Sequence, residues 1–143
     1  MIRFFNEDIP FSLNKKNELI SWLENVISSH SLHPGPLNYI FCSDEYLLNI
    51  NRKFLTHDCL TDIITFDNSE SSNEIAGDIF ISIERVKENS ESIGTNFYQE
   101  LSRVIIHGLL HLLGFDDKTE ADKLLMVTKE EEYLSLLKMK GST

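Results

Sequence analysis

The sequence has few cysteines, no long apolar run and a shortage of positive charge. Two cysteines, Cys42 and Cys59, occur in 143 residues and do not form a CxxC pair, whereas small secreted domains stapled by disulfides carry more. No stretch approaches the roughly 20 apolar residues of a membrane helix, and the first ten residues lack the apolar core of a secretory signal. We therefore expect a cytoplasmic protein with reduced thiols and no membrane partner.

Positive charge is scarce relative to negative charge. Lys and Arg total 13 against 23 for Asp and Glu, which gives a formal net charge of −10. A broadly basic nucleic-acid binder is excluded, because neutralising phosphates requires Lys and Arg. The hydrophobic fraction of 41% and the charged fraction of 25% are those of a globular protein. The length suits one folded unit, so we predict a single domain over residues 1–143.

Hydrophobic spacing predicts strands and helices in mixed order. Four segments have strand character, and Asn14, Asp44 and Thr119 are placed to cap the first, second and last of five helices. Together they predict an α+β fold, in which a small mixed four-stranded sheet packs against several helices. The predicted strands are 2–5, 37–43, 61–66 and 78–83, and the predicted helices are 15–30, 45–55, 84–94, 97–113 and 119–138.

The predicted helix over 97–113 carries the clearest chemical signal. His107 and His111 are four residues apart, so both imidazoles lie on one face of the helix and form half of a tetrahedral metal site. Gly114 ends the helix, and Asp116 and Asp117 follow directly. A third ligand from that turn leaves a fourth position open, as in catalytic zinc sites. The other interpretation is a pair of core histidines bonded to backbone or carboxylate.

Gly108 separates this helix from the usual metalloprotease helix. In the HExxH motif the residue after the first histidine is a glutamate that acts as general base. Here that residue is Gly108, so peptide hydrolysis by the standard route is disfavoured. Glycine costs a helix about 1 kcal/mol relative to alanine, and its position beside the histidines leaves room for a close neighbour.

The segment HGLLHLLGFDD, residues 107–117, resembles the HGxLHLxGxDH signature of the bacterial endoribonuclease YbeY family, also called the rRNA maturation factor family. Residues 51–66 resemble the family segment that ends in TDVLSF, and residues 77–82 resemble its GDIxIS strand. Met126 and the run Glu130–Glu132 are similar to its closing helix. The resemblance covers about residues 37 to 137.

The resemblance implies a zinc-dependent, single-strand-specific endoribonuclease that uses a metal-activated water. It implies maturation of the 3′ end of small-subunit rRNA, a role in ribosome quality control, and a zincin-like helix that carries one Zn²⁺ per chain. Its partners would be rRNA and the small ribosomal subunit, with a basic ribosomal protein and an assembly GTPase as further candidates. The metal ligands fall on His107, His111 and Asp117, and the two histidines are catalytic.

The sequence departs from the family at the third ligand. Asp117 stands where the family has histidine, and it adds negative charge that makes a bound water less acidic. Asp116 remains an alternative ligand at this stage. Asp78 is a candidate to orient a metal-bound histidine, as such ligands usually require, or to cap a turn before its strand.

A second departure lies before the TD strand, where the family arginine is replaced by Leu55. Arg52 precedes it by three residues and is our candidate catalytic cation, with Lys53 and His57 as further substrate-binding residues. Thr61 and Asp62, at the start of the strand, are two more substrate-binding candidates, which we expect to line the cleft.

Two residues predict weak affinity for naked RNA. Leu55 and Asp117 both make the cleft less positive than in the family. We place many acids, including Glu130–Glu132, outside the cleft.

Two other function classes stay open. One is a non-catalytic ribosome-assembly factor with a structural metal and an acidic surface for a basic ribosomal protein. The other is a zincin-type metallopeptidase, which Gly108 disfavours.

Overall fold

The computed structural model describes residues 1–55 and 59–141, without the side chains of residues 138–141. Five helices and four strands follow one another along this part of the chain. In chain order they are β1 (Ile2–Asn6), α1 (Lys16–Ser29), β2 (His33–Cys42), α2 (Asp44–Leu55), β3 (Ile63–Asp67), β4 (Glu74–Ser82), α3 (Ile83–Ile93), α4 (Phe97–Leu112) and α5 (Glu120–Gly141). None of these helices is long and apolar enough to cross a membrane.

The four strands form one mixed sheet in the order β1-β2-β4-β3. β1 pairs with β2 and β2 pairs with β4 in parallel, whereas β3 pairs with β4 in the antiparallel sense. Phe4, Tyr39, Ile79 and Thr65 are aligned across the sheet and share one face. The prediction of an α+β fold with a small mixed four-stranded sheet is therefore confirmed.

The core lies between this face of the sheet and helices α1, α4 and α5. Trp22 and Ile105 are almost fully buried there, and two hydrogen bonds join the layers. The Trp22 indole N–H donates to the Tyr133 carbonyl over 2.8 Å, and the Tyr39 hydroxyl donates to the Ile105 carbonyl over 3.0 Å. Because α4 is packed from several sides, the histidines it carries stand on a rigid support.

Two predicted helix caps are wrong. α1 begins after Lys15, which adopts a left-handed backbone with φ of 56° and provides no side-chain cap, so Asn14 does not fill that role. At α2 the cap is Ser43, whose hydroxyl accepts the Tyr46 N–H over 3.1 Å. Asp44 instead accepts a 2.9 Å hydrogen bond from the Arg85 guanidinium. The two residues meet because α2 and α3 begin at the paired ends of the neighbouring strands β2 and β4.

Helical spacing predicts one core face along the last helix, and the structure confirms only its second half. Tyr133 and Leu137 are buried as expected, and Leu134 is partly buried. In the first half Leu124, Leu125 and Val127 are exposed, and Met126 is buried instead. The start of α5 is nevertheless as expected, because Thr119 and Asp122 bond to each other's backbone N–H groups.

Candidate metal centre

A tight turn after α4 returns the chain toward the histidines. Gly114 has φ of +104°, which glycine adopts without strain. Its N–H donates to the His111 carbonyl over 3.1 Å, and the Phe115 N–H donates to the Leu110 carbonyl over 3.0 Å. These two bonds form a Schellman motif, which ends a helix and reverses the chain. The turn places Asp117, three residues later, beside the last turn of α4.

His107, His111 and Asp117 bring three ligand atoms together. The Nε2 atoms of the two histidines are 3.0 Å apart, and the Asp117 Oδ2 atom is 3.6 Å from the first and 3.5 Å from the second. Ligands about 2.0–2.1 Å from a tetrahedral zinc ion are about 3.3 Å from one another. The donor set and its spacing therefore fit a divalent metal ion such as zinc.

The cluster is open on one side. The side chains of His107 and His111 are 19% and 25% exposed, whereas that of Asp117 is 45% exposed. Asp117 rather than Asp116 joins the two imidazoles. Three donors with one exposed side leave room for a water or substrate oxygen, as in catalytic rather than structural zinc sites.

A polar stripe runs along the otherwise apolar helix α4. Glu100, Arg103, His107 and His111 follow one another at intervals of three or four residues and so share a face. Arg103 donates to Glu100 through Nε over 2.9 Å and to Glu130 of α5 through Nη1 over 3.3 Å. The second carboxylate oxygen of Glu130, Oε2, lies 2.6 Å from Nδ1 of His107. A chain of charged side chains between α4 and α5 thus ends at a histidine of the candidate metal site.

Burial and charge act together on the titratable groups around this stripe. The hydrogen bonds and charge of Glu100, joined by Glu130, raise the pKa of Arg103, which stays protonated. Burial raises the pKa of Asp62, and the nearby charges of Arg103 and His107 offset part of that increase. Burial therefore outweighs these charges at the Asp62 carboxyl.

Gly108 allows α4 to pack closely on the sheet. A Cβ at this position would lie 2.8 Å from Cδ1 of Ile63 and 2.9 Å from Cγ2 of Ile79. Both distances are well below an ordinary carbon–carbon contact of about 3.5–4.0 Å. A glutamate at this position, as in HExxH, does not fit between α4 and the sheet.

Comparison with known proteins covers nearly the whole chain. The family model for Endoribonuclease YbeY matches residues 2–138. The chain belongs to the endoribonuclease YbeY family. Proteins named Endoribonuclease YbeY from Flavobacterium psychrophilum and Cytophaga hutchinsonii are 50% and 52% identical to it. These alignments cover 95% and 96% of this chain, and 96% of each relative.

A solved structure has the same fold. The solution structure of TM1509 from Thermotoga maritima matches with a TM-score of 0.70 and 27% sequence identity. The match covers 99% of this chain and 92% of that one.

The predicted substrate-binding residues lie on two other elements. Arg52 and Lys53 are exposed on the last turns of α2. This helix extends to Leu55, so Arg52 shares a helical face with the position of the YbeY family arginine. At the candidate metal site, hydrogen bonds join His107 to Glu130 and to His111. His57 lies outside the described residues.

Thr61 and Asp62 lie in the segment that leads into β3. The Thr61 hydroxyl donates to the Ile63 carbonyl over 3.3 Å, and the Asp62 carbonyl accepts the Ser82 N–H over 3.0 Å. Both residues are half-buried. The backbone of Asp62 is thus fixed against β4, whereas Thr61 is held by a bond within its own segment.

Sequence reasoning missed the partner of His107. Asp78 accepts hydrogen bonds from the Asn38 and Asn68 amides, and the group that contacts His107 is Glu130. The prediction that Glu130 lies outside the cleft is therefore wrong. A signal existed, because Glu130 follows Met126 by four residues and precedes Tyr133 by three, on the buried stripe of α5.

Proposed function

We propose that this chain is a metal-dependent endoribonuclease whose single zinc ion is held by His107, His111 and Asp117. The observation that carries the proposal is the three-donor cluster, open on one side, in a member of the YbeY family. Two imidazoles with one carboxylate form a known ligand set of catalytic zinc. The zincin-like helix α4, within a single domain over residues 1–143, provides two of the three ligands.

Bound zinc would supply Lewis acidity, which polarises a phosphoryl oxygen and makes a coordinated water more acidic. The protein's own residues position the metal ligands and the RNA. α4 fixes the spacing of the two imidazoles, and the turn at Gly114 brings the Asp117 carboxylate toward them. Arg52 and Lys53, with His57, attract the RNA backbone, and Thr61 and Asp62 line the cleft that orients it.

The substrate we propose is single-stranded RNA, with the 3′ end of small-subunit rRNA as its target and ribosome quality control as the wider role. The net charge of −10 disfavours tight binding of naked RNA. Delivery by the small ribosomal subunit, through a basic ribosomal protein and an assembly GTPase, supplies the missing affinity. These partners and a cytoplasmic location belong to the proposal.

The test is cleavage of a single-stranded RNA that carries the 3′ end of small-subunit rRNA, with a duplex of the same sequence as comparison. We expect cleavage of the single strand alone, loss of activity with a chelator and recovery with added Zn²⁺. His111→Ala removes a ligand and should abolish cleavage, whereas His33→Ala, at an exposed site on β2, should not. Cleavage that resists both the chelator and His111→Ala would refute the proposal.

The same variants separate the other function classes. A non-catalytic assembly factor predicts normal rRNA 3′ ends in cells that carry a folded His111→Ala protein. A metallopeptidase predicts chelator-sensitive cleavage of peptides, and the tight packing at Gly108, which leaves no room for the usual base, argues against it.

A further inference from the structure

Glu130 is a buried carboxylate with a fixed orientation. It is 4% exposed, although its neighbours on α5, Glu131 and Glu132, are exposed. One of its oxygens accepts from Nη1 of Arg103 over 3.3 Å, and the other lies 2.6 Å from Nδ1 of His107. A carboxylate buried this deeply is costly unless its oxygens have polar partners, and here the Arg103 guanidinium and the His107 imidazole contact them.

Arg103 is itself anchored and cannot move freely. Its Nε and Nη2 atoms form a two-pronged contact with Glu100, which is 2% exposed. Such planar, paired contacts fix the guanidinium more firmly than a single ammonium contact does. Glu100 therefore holds Arg103, and Arg103 holds one oxygen of Glu130, so that the other oxygen faces His107.

We propose that Glu130, held by Arg103 and Glu100, is a positioning residue that fixes the tautomer of His107. An ionised carboxylate only accepts hydrogen bonds, so Nδ1 of His107 must carry the proton. Nε2 then presents its lone pair toward His111 and Asp117, as a metal ligand requires. The proposal rests on the proposed function, because it concerns the same metal-binding histidine.

The arrangement predicts the effect of one nearly isosteric change, Glu130→Gln. In Glu130→Gln, Arg103 can only donate, so it retains the amide oxygen on its own side. The amide NH₂ then faces Nδ1 of His107, which must accept. The proton moves to Nε2, and the lone pair that faces the metal pocket is lost.

The experiment measures the tautomer and the metal affinity separately. In the metal-free protein, the ¹⁵N shifts of the histidine rings report which nitrogen is protonated. We expect the Nδ1–H form at His107 in the original sequence and the Nε2–H form in Glu130→Gln. Zn²⁺ affinity, measured by competition with a chromophoric chelator, should fall by about 10- to 100-fold. Glu131→Gln is the matched control, and both values should stay unchanged.

A second variant, Arg103→Lys, allows the proposal to be tested if Glu130→Gln fails to fold. Arg103→Lys keeps the positive charge but loses the fork to Glu100, so Glu130 remains an acceptor that is less firmly held. We expect the Nδ1–H form to persist while Zn²⁺ affinity falls by less than in Glu130→Gln.

The tautomer measurement needs neither zinc nor RNA, so its outcome does not depend on whether the chain cleaves RNA. An Nδ1–H form of His107 in Glu130→Gln, with Zn²⁺ affinity within about twofold of the original, would overturn the proposal.

Discussion

Replacing Gly108 with alanine sets two opposing effects against each other. Alanine favours the helix by about 1 kcal/mol over glycine. Its Cβ, however, would lie 2.8 Å from Cδ1 of Ile63 and 2.9 Å from Cγ2 of Ile79. The Ile63 carbon is a terminal methyl that can rotate away, whereas the Ile79 carbon is attached to Cβ of a fully buried strand residue. Overpacking of this kind costs about 1–3 kcal/mol.

We therefore expect Gly108→Ala to lower the free energy of unfolding by about 1 kcal/mol, since the overpacking cost exceeds the helix gain. Urea unfolding with a chelator present measures this value without any metal contribution, and an unchanged slope shows that the midpoint reports stability. The direction of the change in the free energy of unfolding is informative by itself, because helix propensity alone predicts that Gly108→Ala raises it.

A double-mutant cycle tests the cause. Ile63→Val removes the Cδ1 atom and should cost about 0.5–1.5 kcal/mol in the original sequence. In the Gly108→Ala background it should cost less, because it also relieves the clash, with a coupling of at least about 0.5 kcal/mol. A stabilised Gly108→Ala protein, or effects of the two changes that are simply additive, would refute the reasoning.

Three further predictions follow from the same contacts. Asp117→Ala should weaken Zn²⁺ binding at least about tenfold, whereas Asp116→Ala should leave the affinity unchanged in the same chelator competition. Although burial of Asp44 opposes it, hydrogen bonds from Arg85 and Ser82 lower the pKa of that carboxyl. Asp44→Ala should therefore cost about 1 kcal/mol at pH 7, and the difference should shrink as the pH falls below about 4, as urea unfolding at several pH values would show. Chelation should weaken binding of single-stranded RNA, measured by fluorescence anisotropy with His111→Ala as the comparison that does not respond.

Patterns among residues that are close together in the sequence predicted much of the fold and the two histidines at the centre of the site. The spacing of His107 and His111 and the glycine at position 114 act within a few residues, so the sequence shows them directly. The same holds for the start of α5 at Thr119. Alternation and helical spacing likewise predicted all four strands and five helices, with shifts mostly at their ends.

Contacts between distant segments could not be predicted in this way. Local spacing predicts Asp44 as a helix cap, because its actual partner, Arg85, is 41 residues away. Likewise, β2 begins at His33 rather than at residue 37, because the segment pairs with β4 through an irregularity between Pro34 and Leu37. Glu130 is predicted to lie outside the cleft with its two neighbours. Its spacing from Tyr133 indicates burial, but its contact with His107 follows only from the packing of α5 on α4.

That packing changes what the net charge of −10 means for an RNA enzyme. Distant acids matter little, because interactions beyond about 8 Å are screened at physiological ionic strength. In the ion-pair network of the two histidines, the carboxylates of Asp117, Glu130 and Glu100 outnumber the guanidinium of Arg103 by two charges. This excess repels a phosphodiester, and the divalent ion of the proposed site would cancel it. In the proposed enzyme, the sign of the charge that RNA meets in this cleft would therefore depend on the bound ion rather than on the composition of the chain.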